Sequence, residues 1–372
     1  MTAVADYLAE RHDVTVICSD ARYSESDGTA QDAGKPYPVL RAVSGNYDKN
    51  GLLSRAINLW RNSVRLRKLL KSTVRQGDEV LIVTNPAPLL LLAAWMKRRR
   101  KYRLSIIVHD VFPENAVAAG IIRSEKNPAY RLLRRVFTAA YGRADNLIVL
   151  GRDMKTLFES KLAGRRHKPL ITIIENWAAE CDANSAQCDN DTVTIKYAGN
   201  IGRCQGLEKI VEIFSALPPT SPVRLEIFGS GAVEPQLRQY VRRHDCNNIS
   251  FGGPYSRAGQ FQVLGDCDLS LVTLADGMYG LGVPSKTYNI MAAGKAILFI
   301  GHPQSEIALM VRENNIGVTF SPTDTEGLRQ WLSALTPADK ENLRSMGRRA
   351  RQLALTTYSQ PTILNKYNAI FD

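Results

Sequence analysis

Short apolar runs rich in β-branched residues alternate with amphipathic helical patterns, and the alternation breaks off once and then restarts. No other feature of the chain limits its fold so strongly. The first series contains "DVTVIC" (13–18), "EVLIVT" (79–84), "LSIIVHD" (104–110), "NLIVLG" (146–151) and "ITIIEN" (171–176), with helical patterns over 52–72, 87–101 and 128–143. The polar, non-periodic "AAECDANSAQCDND" (178–191) follows. The second series runs "TVTIKYAG" (192–199), "VRLEIFGSG" (223–231), "NISFGG" (248–253), "LSLVTL" (269–274) and "AILFI" (296–300). Strands separated by helices pair in parallel, so two such series predict two doubly wound α/β domains facing each other. The expected division is 1–176 for the first domain, 177–191 for a linker and 192–355 for the second. Residues 356–372 are expected to form a C-terminal helix packing back toward the first domain. Ligands of open parallel sheets bind beyond the carboxyl ends of the strands, which puts the expected site in the cleft between domains.

The chain carries a net charge of +12, all of it from one side. Up to Asn176 there are 30 Lys and Arg against 17 Asp and Glu; the remainder has 18 against 19. A one-sided positive field suits a polyanionic partner: a membrane surface, a phosphorylated substrate or nucleic acid. Solvated Arg-rich helix faces are the plainer reading. Nucleic acid is not expected, because the basic half has no aromatic interleaving and no known binding module. The six cysteines form no CxxC and no metal-ligand spacing, which points to free thiols. The longest apolar run, "APLLLLAAWM" (87–96), falls short of the roughly 20 residues that span a bilayer.

Glycine turns follow strands in the second series. In "YAGNIGRCQGLEKIVEIF" (197–214) a strand leads into Gly199, Gly202 and Gly206 and then a helix, and "FGSG" (228–231) marks the next junction. Such turns let backbone approach a ligand, and the following helix start suits a phosphate. They serve equally as plain strand-to-helix turns. Arg203, in the first turn, is a guanidinium that can pair with a diphosphate. In "GLGVPSKTYNIMAAGKAIL" (280–298) a loop with Pro284, Ser285 and Lys286 enters a helix that ends at Gly294. A cation at a helix start is a candidate anion site, and Asn289 lies about one turn further along the same side.

Taken together and in this order, "HDVFPE" (109–114), "IENWAAE" (174–180), "YAGNIGRCQGLE", "FGSG" and "VPSKTYNIMAAGKAI" resemble the GT-B-fold retaining glycosyltransferases of family 4. The resemblance is to the branch that builds O-antigen, capsule and other exopolysaccharides, and covers nearly the whole chain. It implies a GT-B arrangement of two Rossmann-like domains. It also implies a nucleotide-sugar donor on the C-terminal domain, an acceptor on the N-terminal domain, retention at the anomeric carbon, and no required metal or other cofactor. By position, Arg203 and Lys286 would neutralise the donor diphosphate as charge builds on it. Gly199, Asn200, Gly202, Gly229, Ser230, Gly231 and Ser285 would line the donor pocket, with Asn289 on a sugar hydroxyl. His109 would contact the transferred sugar. Asp110 and Glu114 would orient sugar or acceptor, and Asn85 and Pro86 would lie near the acceptor.

The departures from the family pattern are specific. Two glutamates usual in the last motif fall on Leu281 and Asn289, and Glu306 is the expected replacement carboxylate. The Arg and Lys usual in the first C-domain turn fall on Asn200 and Gln205. The chain opens on a helix and then a strand, where the family has a first strand and a glycine loop, so that strand is expected to be missing. The basic, partly apolar helix pattern at 52–71, with Trp60, and the clusters at 97–103 and 131–137 resemble elements that lie on an anionic membrane surface. An ordinary core helix with an Arg-rich outer side accounts for the first as well. The expectation is a peripheral enzyme on the cytoplasmic face of the plasma membrane. It would move a hexosyl or N-acetylhexosaminyl group from a UDP-sugar to a polyprenyl-diphosphate-linked saccharide. A truncated, non-catalytic assembly partner is the rival.

Overall fold

The computed structural model describes residues 1–19, 34–42, 52–122, 124–181 and 191–371. Most of the polar stretch expected as linker, and Cys188 within it, lies outside the described residues; Cys18, Cys181, Cys204, Cys246 and Cys267 form no disulfide with one another. The strands are β1 (Val16–Ser19), β2 (Val39–Ala42), β3 (Glu79–Val83), β4 (Arg103–Val108), β5 (Asn146–Val149), β6 (Leu170–Ile173), β7 (Val193–Ala198), β8 (Val223–Phe228), β9 (Ile249–Gly253), β10 (Leu269–Thr273), β11 (Ala296–Ile300) and β12 (Gly317–Phe320). All pair in parallel.

In the N-terminal unit β3-β4-β5-β6 form one sheet in chain order, beside a separate β1-β2 pair. The C-terminal sheet runs β12-β11-β10-β7-β8-β9. Its chain moves outward from β7 through β8 to β9, then returns to the other side of β7 and moves outward again. The direction therefore reverses between β7 and β10, and at such a point the connections leave in opposite directions and open a crevice. Strands β5, β7, β10 and β11 are buried along their whole length. Helices cover both sheet faces, which explains apolar runs rather than strict alternation.

Two strands go beyond the sequence reading. β2 (VLRA) is short and interrupted by Arg41, and β12 (GVTF) opens on Gly317 and lies at a sheet edge. Neither four-residue run is apolar enough to read as a buried strand, the first carrying Arg41 and the second Gly317 and Thr319. Among the described residues no helix is long and apolar enough to cross a membrane.

One apolar core runs through both units, from Leu104, Ile106 and Leu147 to Met291, Phe299, Ile307 and Ile363. Polar contacts close the same seam. Arg152, at the start of the helix after β5, donates its backbone N–H to Glu306 Oε2 at 2.7 Å and its Nε at 3.0 Å. Its Nη2 reaches Glu306 Oε1 at 3.1 Å and its Nη1 reaches Glu313 at 2.9 Å. Gly151 makes this approach possible: a Cβ there would lie 2.6 Å from Glu306 Cβ. The C-terminal segment returns to the stretch after β6, where Lys366 pairs with Glu175 and the Ala178 N–H donates to the Tyr358 carbonyl at 2.8 Å. Near the N-terminus, the Tyr7 hydroxyl donates to Asn365 at 2.7 Å.

Glu306 is only 5% exposed, so Arg152→Ala leaves a buried carboxylate unpaired and is expected to cost about 2 kcal/mol in urea unfolding. Glu313 is half-exposed, and Glu313→Ala is expected to cost less than about 1 kcal/mol. Equal costs for the two would contradict this account of the seam.

Candidate active site

The site is assembled where β4, β7, β8 and β10 end. His109 and Asp110 leave the carboxyl end of β4, and both backbone N–H groups donate to the buried hydroxyl of Thr84, at 3.1 and 3.2 Å. Thr84 follows β3, so two neighbouring strand ends are tied by one side chain. Asn85 and Pro86 come next, leading into the helix Ala87–Arg100. The Val111 N–H donates to the Leu281 carbonyl at 3.1 Å, and a Cβ on Gly282 would lie 3.1 Å from the His109 carbonyl oxygen. The His109 loop of one unit thus rests on the 281–282 loop of the other.

Four residues further along that loop Lys286 begins the helix Lys286–Ala292. Its ammonium lies 3.6 Å from the centre of the Tyr197 ring, on β7. It also lies 3.4 Å from where a Cβ on Gly199 would stand. Nζ is buried and has no hydrogen-bond partner among the described residues. Burial without a counter-ion pushes its pKa down to about 7. Tyr197 in turn donates its hydroxyl to the Asn200 carbonyl at 2.6 Å, fixing the turn that follows β7. Lys286 and Gly199 meet because they flank the β7/β10 reversal.

The glycine turns themselves pack on one another. Gly229 sits at φ +128°, and a Cβ there would lie 1.9 Å from the Gly199 carbonyl oxygen. Ile201 donates its N–H to the Ser230 carbonyl at 2.9 Å, and a Cβ on Gly231 would meet Ile201 O at 2.3 Å. These glycines are needed for turn-against-turn packing whether or not a ligand is bound. Gly202 donates its N–H to Gln205 Oε1 at 3.1 Å. Asn200, Arg203, Ser230 and Ser285 are exposed around this group.

Electrostatics across the seam follow from the same closeness. Burial lowers the His109 pKa below its usual value, which keeps the imidazole neutral near pH 7. Loss of surrounding water raises the Asp110 carboxyl. Burial, and after it the Asp110 charge, pushes up the Cys204 thiol, so Asp110 of the N-terminal unit faces the first turn of the C-terminal unit. Among the described residues no group of three His, Cys, Asp or Glu converges as metal ligands do.

Three expected ligands are occupied by protein. Glu306 does not present a free carboxylate to a sugar, because Arg152 takes both of its oxygens. Asn289 accepts from the Ala179 N–H at 3.2 Å and donates to Gln260 at 3.3 Å, so its amide ties the hinge to the helix. Glu114 pairs with Lys161 and with Arg134 at 3.6 Å, although its Oε2 is buried without a hydrogen-bond partner among the described residues. Thr84, Tyr197 and Arg152 were not singled out by the sequence. A tyrosine next to the last residue of a strand before a glycine turn was the one visible signal among them. Gly229→Ala is expected to destabilise the chain by at least about 2 kcal/mol, through backbone collision and a left-handed φ together. Near wild-type thermal melting of that variant would show that the turn can yield.

Residues 1–176 match the model of Glycosyltransferase Family 4. The chain is 34% identical over 333 residues to the probable glycosyltransferase WbjE of Pseudomonas aeruginosa, covering 87% of this chain and 81% of that one. It is 26% identical over 238 residues to the putative colanic acid biosynthesis glycosyl transferase WcaI of Escherichia coli K12, covering 60% and 56%. In structure it is similar to Anabaena HepE, crystallised with UDP, at a TM-score of 0.66 and 15% identity over 91% of this chain and 86% of that one. By its relation to WbjE and the two-unit parallel architecture it shares with HepE, the chain belongs to the family 4 glycosyltransferases of GT-B fold.

Proposed function

We propose that this glycosyltransferase acts in surface-polysaccharide biosynthesis. It transfers a hexosyl or N-acetylhexosaminyl group from a UDP-sugar to a lipid-linked saccharide, with retention at the anomeric carbon and without a required metal. The name of WcaI, a colanic acid biosynthesis glycosyl transferase, supports the biosynthetic setting, and the UDP in the HepE crystal supports the donor. An O-antigen or capsule setting, retention and the lipid-linked acceptor rest on the family resemblance alone.

The observation that carries the reading is Lys286: a buried ammonium with no anion, aimed at a glycine turn beside a sheet reversal. Burying an unpaired charge is costly, so such a group is kept where a ligand supplies the missing partner. A diphosphate does so. As the bond from the anomeric carbon to the phosphate oxygen breaks, negative charge grows on the departing diphosphate. A preplaced cation in a water-poor site then stabilises the transition state more than the ground state. Arg203, exposed on the rim of the same turn, adds a second cation. His109, neutral and held by Thr84, serves as a hydrogen-bonding group toward the sugar rather than as a charge. Asp110, Asn85, Pro86 and the unfilled Oε2 of Glu114 form the acceptor side.

Lys286→Ala is expected to lower sugar transfer by roughly 10²–10³-fold, the range seen for losing one transition-state charge contact. Its thermal midpoint is expected to hold or rise, since a buried unpaired cation is removed. Near-normal transfer by this variant would overturn the donor site. The pH dependence has a fixed sign. The folded pKa of about 7 lies below the ordinary 10.5 of an unfolded lysine. Between these values the unfolded chain holds the proton and the folded chain does not, so the Lys286 contribution makes the free protein more stable as pH rises through that window. UDP affinity is expected to move oppositely, falling above about pH 7 with proton uptake on binding, and calorimetry in buffers of different ionisation enthalpy reads this uptake. Tyr197→Phe keeps the ring beneath the ammonium and is expected to retain most affinity; Tyr197→Leu removes ring and hydroxyl and is expected to lose roughly tenfold.

A further inference from the structure

We infer that Asp153 of the N-terminal unit is a positioning residue for the donor cation: together with Gly280 it seats the loop 280–286, and that seat sets where Lys286 stands against the first glycine turn. The inference rests on the donor reading proposed above and names the residue that holds its cation in place.

Asp153 is the second residue of the helix Arg152–Lys161, which follows β5, and is only 3% exposed. Its neighbour Arg152 gives its guanidinium to Glu306 and Glu313 instead. An aspartate that served only the start of its own helix would do so equally well in water. This one is turned into the seam, where a charge is costly unless hydrogen-bond donors surround it. It accepts from the Met154 N–H at 2.8 Å. Across the seam it faces the backbone N–H groups of Glu306 and Gly280. Burial raises its carboxyl pKa, and the three N–H groups oppose that rise. Two of the three belong to the C-terminal unit.

Gly280 completes the seat from the other side. It lies at φ +71°, and a Cβ there would stand 3.0 Å from the Asp153 carbonyl oxygen and 3.2 Å from Leu157 Cβ. The loop therefore starts in backbone contact with the helix Arg152–Lys161. Its next two residues rest on a different element, through the Leu281 carbonyl under the Val111 N–H and Gly282 against the His109 carbonyl. Lys286 follows four residues later. No hydrogen bond holds its Nζ among the described residues, so the course of the loop decides where the ammonium lies. Arg152 and Glu306 close the same seam, but Glu306 stands on another helix and does not touch this loop. A displacement of about 1 Å in a group placed against reacting atoms can cost roughly 10²-fold in rate, so the seat matters to the chemistry.

The test follows Lys286 itself, in the full chain carrying isotope-labelled lysine Cε. Its signal, assigned by its absence from Lys286→Arg, is titrated in the free protein, and UDP affinity is measured by calorimetry. The wild-type midpoint is expected at about 7, where burial alone has lowered it. Asp153→Leu fills the space without an acceptor oxygen, and Gly280→Ala pushes a methyl against the Asp153 backbone. Each is expected to move the Lys286 midpoint toward the ordinary 10.5 and to weaken UDP binding by roughly tenfold, the worth of one charge-assisted contact. Asp153→Asn keeps the shape and one acceptor oxygen and is expected to stay within about threefold of wild type. A loss of overall stability alone would leave the Lys286 midpoint of the folded protein where it was. The glycine variant carries the test if the leucine variant does not fold. A midpoint unchanged in either folded variant would overturn the proposal, as would a wild-type midpoint near 10.5 or an Asp153→Asn as impaired as Asp153→Leu. UDP that fails to bind wild type, or binds all variants equally, while the midpoints move as expected would instead count against the donor reading and leave the seat standing.

Discussion

A buried ammonium without an anion organises the functional end of this molecule. Lys286 could rest against water at little cost. Instead it is drawn under the first glycine turn of the C-terminal unit, where it lies over the Tyr197 ring and has no hydrogen-bond partner among the described residues. A ring quadrupole offsets part of the desolvation of a cation, not all of it. The remaining deficit is what a diphosphate can fill, and it lowers the lysine's proton affinity until one arrives. The same tyrosine holds the turn through its hydroxyl, so the cation and the backbone that would cradle a phosphate are positioned by one side chain.

That arrangement depends on the two units staying in register. The loop carrying Lys286 also bears Leu281 and Gly282, which contact the His109 strand end, so the groups assigned to donor and to transferred sugar share one short connection. Behind it, Arg152 grips Glu306 while Gly151 lets the backbones approach. A carboxylate that the sequence suggested for sugar binding thus serves as the anchor of the seam. Asn289 ties the segment after β6 to the helix Lys286–Ala292, and Lys286 stands against the first glycine turn.

Much of the fold was legible in residue patterns. β3 through β11 fall within three residues of the runs that announced them, most plainly β5, β10 and β11, which are buried along their whole length and accordingly apolar. β2 and β12 escaped because each is only four residues long and broken by a polar residue or a glycine, Arg41 in one and Gly317 in the other. The site was legible in part. Lys286, the glycine turns and His109 stand in motifs whose order is informative. Thr84, Tyr197 and Arg152 are ordinary residues made special by what lies across from them, and no local spacing shows that. For Glu306 and Asn289 the sequence named polar groups but could not show that protein partners already held them.

By itself the sequence determined the two α/β series, their glycine-marked strand ends, the family and the one-sided charge. Each is a property of neighbours along the chain, through side-chain period, backbone freedom or composition. Tertiary structure alone decided that Lys286 reaches Gly199 and that Arg152 meets Glu306. These depend on strand order and helix packing, which bring distant segments together where the sheet reverses direction. Energies of burial and pairing exist only once that approach has happened.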